Sequence, residues 1–189
     1  MAKKVLVFLA EGFEEVEAVT PIDYLRRAGI EVCTAGITGE QTVKGSHRIP
    51  VIPDTTIRDL SQQGRFNAAS WDGVLLPGGI PGAPNLRDCK EVNSLLQDMA
   101  GAGKWVCAIC ASPAVVLAPL GLLKDRRFTC FPGLEEKVSG AKWSEERVVT
   151  DGTIITSRGA GTAALWAIEI IGKLLDEASA QKIAAQVLV

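Results

Sequence analysis

The residue whose type and position best suit chemistry is Cys110, which follows the apolar run Trp105–Ile109 and precedes Ser112-Pro113. A strand followed closely by a helix forms an elbow that exposes the turn residue at the carboxyl edge of a sheet, where open α/β folds bind ligands. The helix N-terminus would stabilise a thiolate there and lower its pKa well below the ~8.5 of a free cysteine. Cys110 is therefore predicted to be a nucleophile, with a buried structural thiol as the alternative.

Two other cysteine chemistries compete with this interpretation. Cys107 and Cys110 match the C-x-x-C redox pattern, but three residues of extended chain separate their Cα atoms by roughly 10 Å, which is too far for a disulfide. The single histidine, His47, lies before Cys110 in a weakly patterned region and is interpreted as a surface or interface residue. Because no histidine follows Cys110, a Cys-His-acid protease and a glutamine amidotransferase are disfavoured.

Three glutamates supply candidate acid/base groups. Glu14 and Glu17 are three residues apart and share one face of a predicted helix, whereas Glu15 is expected to turn away. A desolvated carboxyl beside Cys110 would have a raised pKa and could donate a hydrogen bond to a thiolate. The alternative is a charged first helical turn that only complements the helix dipole.

Two glycine-rich segments follow apolar strands. In Pro77–Gly82, the bare backbone N–H groups of Gly78 and Gly79 could form an oxyanion hole or anion nest. Ser157–Ala164 fits the dinucleotide fingerprint G-x-G-x-x-A, but too little chain follows it to complete the second half of such a fold. We therefore interpret this second segment as a closely packed helix start, with Arg158 as a candidate anion contact.

The elements that must position these residues alternate along the chain. Apolar strands are predicted at Lys4–Leu9, Gly73–Leu76 and Trp105–Ile109, with amphipathic helices between them, and a β-hairpin is predicted within Gly36–Pro53. Further strands are predicted at the segments 30–35, 128–131, 147–150 and 153–156, and helices at 14–28, 55–63, 89–102, 112–117, 162–175 and 178–187. This order indicates an α/β fold with a mostly parallel sheet. We expect one domain over residues 1–189.

Composition narrows the function further. The 189 residues are 47% hydrophobic with a net charge of -2, which predicts a folded chain and gives no basic face for nucleic acid. The N-terminal apolar run is too short for a signal peptide or membrane span, so we expect a cytoplasmic protein whose five cysteines are free thiols. No metal site or cofactor is predicted.

The motifs together resemble a known family. The sequence is similar to the ThiJ/PfpI superfamily, and in particular to the branch of the Parkinson-disease-associated protein deglycase and its bacterial relatives. The segments that carry the resemblance are Ala10–Glu17, Leu76–Gly79, Ala108–Ala111 and Thr156–Thr162. Their order and spacing cover nearly the whole chain.

The resemblance implies a flavodoxin-like three-layer α/β/α sandwich that forms a homodimer. Cys110 matches the family's elbow cysteine and Glu17 its protonated glutamate partner. Gly78, Gly79 and Ala111 match the positions whose N–H groups line the thiolate pocket. The implied activity is that of a deglycase or glyoxalase acting on methylglyoxal, glyoxal or their adducts, including glycated protein, with no cofactor. A redox-sensing protein or chaperone whose cysteine oxidises readily is the alternative.

Two positions depart from other branches. Phe131 stands where the human-type branch has a histidine, and a bacterial subgroup also has phenylalanine at this position. Glu17 is therefore the only evident acid/base. Ala111 follows the elbow cysteine where the protease-like branch has a histidine, which argues against peptidase activity.

Overall fold

The computed structural model describes residues 2–189, which form eleven strands and six α-helices. The strands are β1 (Lys4–Leu9), β2 (Glu31–Gly36), β3 (Val43–Lys44), β4 (Pro50–Val51), β5 (Thr55–Thr56), β6 (Gly73–Leu76), β7 (Trp105–Ile109), β8 (Arg127–Phe128), β9 (Lys142–Trp143), β10 (Val148–Asp151) and β11 (Ile154–Ser157). The helices are α1 (Glu15–Arg27), α2 (Ile57–Gln62), α3 (Gly82–Asp88), α4 (Lys90–Gly101), α5 (Ala163–Leu174) and α6 (Glu177–Val187).

A seven-stranded sheet in the order β10-β11-β7-β6-β1-β2-β5 forms the middle of the molecule. All neighbouring strands in it are parallel except β10 and β11, which form an antiparallel hairpin. The carboxyl ends of β1, β6, β7 and β11 therefore meet at one edge. The segments that follow these four strands, including the first turn of α1, carry all the residues that the sequence predicts for the site.

Each face of the sheet is covered by helices over its own apolar core. In β1, Leu6 and Phe8 belong to one core, while Val5, Val7 and Leu9 belong to the other, which is the alternation of a strand buried on both faces. Helices α2, α3 and α4 pack on the first face, and α1, α5 and α6 on the second. The predicted flavodoxin-like three-layer α/β/α sandwich is confirmed.

Several boundaries differ from the prediction for identifiable reasons. The predicted hairpin appendage is present as β3 and β4. The helix predicted from Thr55 begins later, at Ile57, because Thr55 and Thr56 pair with β2 and the Thr56 hydroxyl caps the helix. Helix α3 was not predicted, since its short glycine- and proline-containing sequence, Gly82–Asp88, carries little periodicity. The strand predicted at 128–131 ends at Phe128.

The described elements either belong to the central sheet, cover it or extend from its edges. One domain over residues 1–189 remains our interpretation of this arrangement. None of the helices in residues 2–189 is long and apolar enough to cross a membrane.

Candidate active site

Cys110 occupies the sharp turn that directly follows β7. Its φ of 64° lies in the left-handed region, a conformation that costs a non-glycine residue on the order of 1–3 kcal/mol. Two backbone hydrogen bonds hold the turn: the Cys110 N–H donates to the Ser157 carbonyl over 2.9 Å, and the Cys110 carbonyl accepts from Phe131 N–H over 2.8 Å. The segment after β8, in which strand was predicted as far as residue 131, thus bonds to the elbow through Phe131.

The helix predicted after the elbow has a different form. Pro113–Leu117 is a single π-helical turn, closed by a 3.0 Å hydrogen bond from Ala118 N–H to the Pro113 carbonyl. Such a short turn aligns few peptide dipoles. The support for a thiolate that the sequence predicts from a helix N-terminus is correspondingly weak.

Glu17 reaches the elbow from the first turn of α1. Its side chain is 1% exposed, and its Oε2 accepts a 2.9 Å hydrogen bond from Gly78 N–H. The carboxyl also lies within hydrogen-bonding reach of the Cys110 thiol, whereas its Oε1 has no hydrogen-bond partner in residues 2–189. Burial raises the pKa of Glu17 to about 7, against the opposing hydrogen bonds from Gly78 and Cys110.

The thiol pKa moves in the direction opposite to the sequence prediction. Burial, together with the charge of the neighbouring Glu17 carboxylate, raises the pKa of Cys110 to about 12, although the N–H groups of Gly79 and Ala111 oppose the shift. The physical reason is that the thiol is desolvated beside a carboxylate and has no long helix behind it. When Glu17 carries a proton, the repulsion disappears and its O–H can donate to the sulfur.

Gly78 and Gly79 allow the segment after β6 to lie this close to Cys110, to Glu17 and to the loop after β1. A methyl group on Gly78 would lie 2.6 Å from the Cys110 Cβ and 2.8 Å from Glu17 Oε2, and one on Gly79 would overlap the backbone of Gly12 and Glu14. The family resemblance implies that Gly78, like Gly79 and Ala111, offers its N–H group to the sulfur. The structure instead gives the Gly78 N–H to Glu17.

A second acidic cluster lies beside the pair and was not predicted. Glu15, expected to point away, is 6% exposed, and its Oε1 accepts the backbone N–H groups of His47 at 2.8 Å and Ile49 at 3.3 Å. Its Oε2 lies 3.1 Å from the Nδ1 atom of His47, a residue whose ring is 70% exposed. Glu15 thus fastens the hairpin loop to α1, a role without a local sequence signal.

The same cluster shifts the pKa values of Glu15 and His47 and brings three potential metal ligands together. Burial raises the pKa of Glu15, but the hydrogen bonds from its own N–H and from His47 and Ile49 outweigh it, and the pKa is lowered. The hydrogen bond with Glu15 and the charge of Glu14 raise the pKa of His47. Glu14, Glu15 and His47 each place one ligand atom within 4.8 Å of the others, the one such group among residues 2–189.

A surface cavity of about 440 Å³ adjoins the elbow. Its wall contains Phe131, Pro132, Arg147, Arg158 and the turn Gly159–Thr162. The sequence singled out Arg158 and Phe131, but Arg147 lies on an unremarkable polar stretch before β10 and was missed. All five cysteines are free thiols. Cys107 is fully buried within β7 and forms no disulfide with Cys110.

The chain is similar over nearly its whole length to several known proteins. The chain is 39% identical over 189 residues to the Parkinson disease protein 7 homolog of Danio rerio, covering 98% of this chain and 97% of that protein. It is 33% identical to the glutathione-independent glyoxalase DJR-1.2 of Caenorhabditis elegans, over 91% and 89% of the two chains. The structure of oxidized Toxoplasma gondii DJ-1 superposes with a TM-score of 0.92 at 37% identity, over 99% of this chain and 98% of that one.

The family model described as DJ-1/PfpI matches residues 3–173, a span that begins just before β1 and ends within α5. It therefore includes the elbow, the acidic first turn of α1 and the glycine segment after β6. The resemblance drawn from the four sequence motifs is confirmed: this chain belongs to the DJ-1/PfpI family.

Proposed function

We propose that the protein is a cysteine-dependent enzyme of the glyoxalase or deglycase type, acting on methylglyoxal, glyoxal or their adducts. The observation that carries the proposal is the pair of the half-buried Cys110 and the buried Glu17, a thiol and an acid in hydrogen-bonding reach at a strained turn. The likeness to a protein named a glutathione-independent glyoxalase supports it.

The pair supplies both a nucleophile and a proton carrier. With a pKa of about 7, Glu17 holds or releases a proton near neutrality, while the thiol keeps its own proton unless Glu17 can take it. The reactive form is the one in which the proton lies on Glu17 and the charge on sulfur. In that form the sulfur receives the Glu17 O–H and the N–H groups of Gly79 and Ala111.

The first step joins Cys110 to the substrate. The thiolate attacks the aldehyde carbon, an S–C bond forms, and the carbonyl electron pair moves onto oxygen. N–H groups around the elbow stabilise this oxyanion before Glu17 donates its proton, which gives a hemithioacetal.

The second step moves a proton within the adduct. Glu17, again a carboxylate, removes the proton from the former aldehyde carbon and returns it to the neighbouring carbon, while the hydroxyl proton passes to the oxygen of that neighbouring carbon. The hemithioacetal thereby becomes, through an enediol, the thioester of a 2-hydroxy acid. Water then cleaves the S–C bond, so that an oxoaldehyde and one water become a 2-hydroxy acid. Because Phe131 carries no ionisable group, Glu17 performs both transfers.

The test is product formation by Cys110→Ser. We expect Cys110→Ser to lose the formation of lactate from methylglyoxal, while Cys89→Ser, which alters a half-buried thiol elsewhere, retains it. Lactate must be measured directly in buffers without amines or added thiols, since both consume free aldehyde. Equal lactate formation by Cys110→Ser and the wild type would refute the proposal.

A redox role for the same thiol is the second candidate. Glu17 Oε1 is buried without a hydrogen-bond partner in the described chain, so a protonated Glu17 could hold an oxygen added to sulfur. The thiolate would take one oxygen from peroxide to give sulfenate and water, and a second peroxide would give sulfinate. Mass spectrometry after mild peroxide should show oxygen on Cys110 before the other thiols, and uniform oxidation would contradict this role.

We also propose that two copies of the chain associate as a homodimer. Val16 and Val19 on α1 are 48% and 50% exposed, and Ile49 and Ile52 on the hairpin are 56% and 77% exposed. The Glu15 contacts place this hairpin beside α1, so the four side chains lie on neighbouring elements. Sedimentation should give a dimer for the wild type and a monomer for Val19→Asp; a monomeric wild type would contradict the proposal.

A further inference from the structure

The cavity beside the elbow holds two arginines that the reaction above does not use. We propose that Arg147 and Arg158 form an anion subsite, so that the preferred substrates are carbonyl compounds bearing a carboxylate or phosphate. This inference rests on the proposed function and names the substrate class of the same site.

The cavity is joined to the reacting pair by the backbone. Arg158 directly follows Ser157, whose carbonyl accepts the Cys110 N–H, and Phe131, which also lines the cavity, donates its N–H to the Cys110 carbonyl. A methyl group on Gly159 would lie 3.6 Å from the Phe131 ring and 3.8 Å from the unpartnered Glu17 Oε1. Glu17 and Cys110 do not line the cavity themselves, but Gly159 and Phe131, which do, lie directly against the reacting pair.

Both arginines are free to bind an anion. Neither forms an ion pair with a carboxylate within residues 2–189, whereas Arg126 and Arg127, at the start of β8, pair with Asp151 and Glu146. Arg158 makes one hydrogen bond, from its Nη1 to the Glu145 carbonyl at 3.0 Å, which fixes the side chain and leaves its charge uncompensated. Two uncompensated guanidinium groups at one cavity favour a carboxylate or phosphate.

The turn that begins α5 adds to this positive potential. Gly159–Thr162 lines the cavity, and the Thr162 hydroxyl accepts the Gly159 N–H at 3.1 Å, which holds the turn in shape. The twelve-residue helix α5 begins at the next residue, so its positive dipole end lies at the cavity rim. The glycine-rich segment that fits the dinucleotide fingerprint thus acquires a role as one wall of the anion subsite.

The first test uses two alkylating agents that differ in charge. Iodoacetate is an anion and iodoacetamide is neutral, and both alkylate Cys110 by the same displacement of iodide. In Arg147→Met and Arg158→Met, the iodoacetate-to-iodoacetamide rate ratio should fall roughly two- to fivefold, the range of an exposed charge interaction. Arg158→Lys should retain the ratio, and so should Arg58→Met, which removes an exposed arginine on α2.

The second test measures substrate preference. 4,5-Dioxopentanoate and 2-oxopentanal differ mainly in a terminal carboxylate, and hydroxypyruvaldehyde phosphate and hydroxypyruvaldehyde differ in a phosphate. The wild type should show a higher kcat/KM for the anionic member of each pair, and Arg147→Met and Arg158→Met should lose that advantage. The pair whose advantage falls further identifies carboxylate or phosphate as the preferred anion.

The outcomes separate the subsite from the proposed activity. If no oxoaldehyde is turned over, the proposed function fails, while the alkylation ratio still decides whether the arginines attract anions. If the ratio in Arg147→Met and Arg158→Met equals that in Arg58→Met, the anion subsite is refuted even in an active enzyme.

Discussion

Replacing Glu17 with glutamine should change how stability depends on pH. Burial raises the pKa of Glu17 from 4.5 to about 7, so the folded protein keeps this proton over a range in which the unfolded chain releases it. The contribution of the protonated Glu17 to the unfolding free energy of the wild type therefore falls as pH rises from about 4.5, and it is fully lost above about 7. Glutamine does not titrate, and its side-chain oxygen can still accept the Gly78 N–H.

The size of the effect follows from the two pKa values. At about 1.4 kcal/mol per pH unit, the interval from 4.5 to about 7 corresponds to about 3 kcal/mol. The unfolding free energy of Glu17→Gln minus that of the wild type should thus grow by about 3 kcal/mol between pH 4 and pH 8. At pH 4 both proteins are neutral at this position and the difference should be small.

Urea unfolding at a series of pH values measures this difference. The buried Trp71 and Trp166 provide the fluorescence signal, and a phosphine reductant keeps the thiols reduced. Glu40→Gln, at an exposed position, controls for the loss of one carboxylate. A difference between Glu17→Gln and the wild type that changes by less than about 1 kcal/mol over this range would refute the raised pKa of Glu17.

Two further predictions concern the surroundings of the pair. Gly78→Ala should lower the unfolding free energy by about 1–3 kcal/mol and reduce Cys110 reactivity, because the added methyl group overlaps Cys110 and Glu17; an unchanged urea midpoint would contradict the close approach. His47→Ala should lower the melting temperature more at pH 5.5 than at pH 9. The raised pKa of His47 means that its pairing with Glu15 and Glu14 stabilises the fold at low pH and is lost as pH rises through that pKa, so an equal effect at both pH values would contradict it.

The central strands could be predicted from local sequence because burial on both faces requires continuous apolar runs. Lys4–Leu9, Gly73–Leu76 and Trp105–Ile109 have the same bounds in the prediction and in the structure. The elbow at Cys110 was predictable for the same reason, since the strand must end before Pro113. Parallel strand order then places Glu17 at the same edge.

Other features depend on contacts between distant parts of the chain. The burial of Glu15 follows from the hairpin loop that folds over α1, and the place of Arg147 in the cavity follows from the β10-β11 hairpin beside β7. The pKa of Cys110 was predicted in the wrong direction because desolvation and the charge of Glu17 are tertiary effects. A single sequence gives no measure of either one.

The pH dependence of Cys110 alkylation tests most directly whether Glu17 and Cys110 act as one acid-thiol pair. Iodoacetamide rates, followed at the Cys110 peptide by mass spectrometry, should rise in the wild type with an apparent pKa near 7. At that pH the pair as a whole releases its first proton and Glu17 can hold the remaining one, whereas the pKa of about 12 applies to the thiol beside an ionised Glu17. In Glu17→Gln the rise should move above ~8.5, because a half-buried thiol then ionises without an acid partner. Coincident profiles for the two proteins, or a wild-type midpoint at or above ~8.5, would contradict the account.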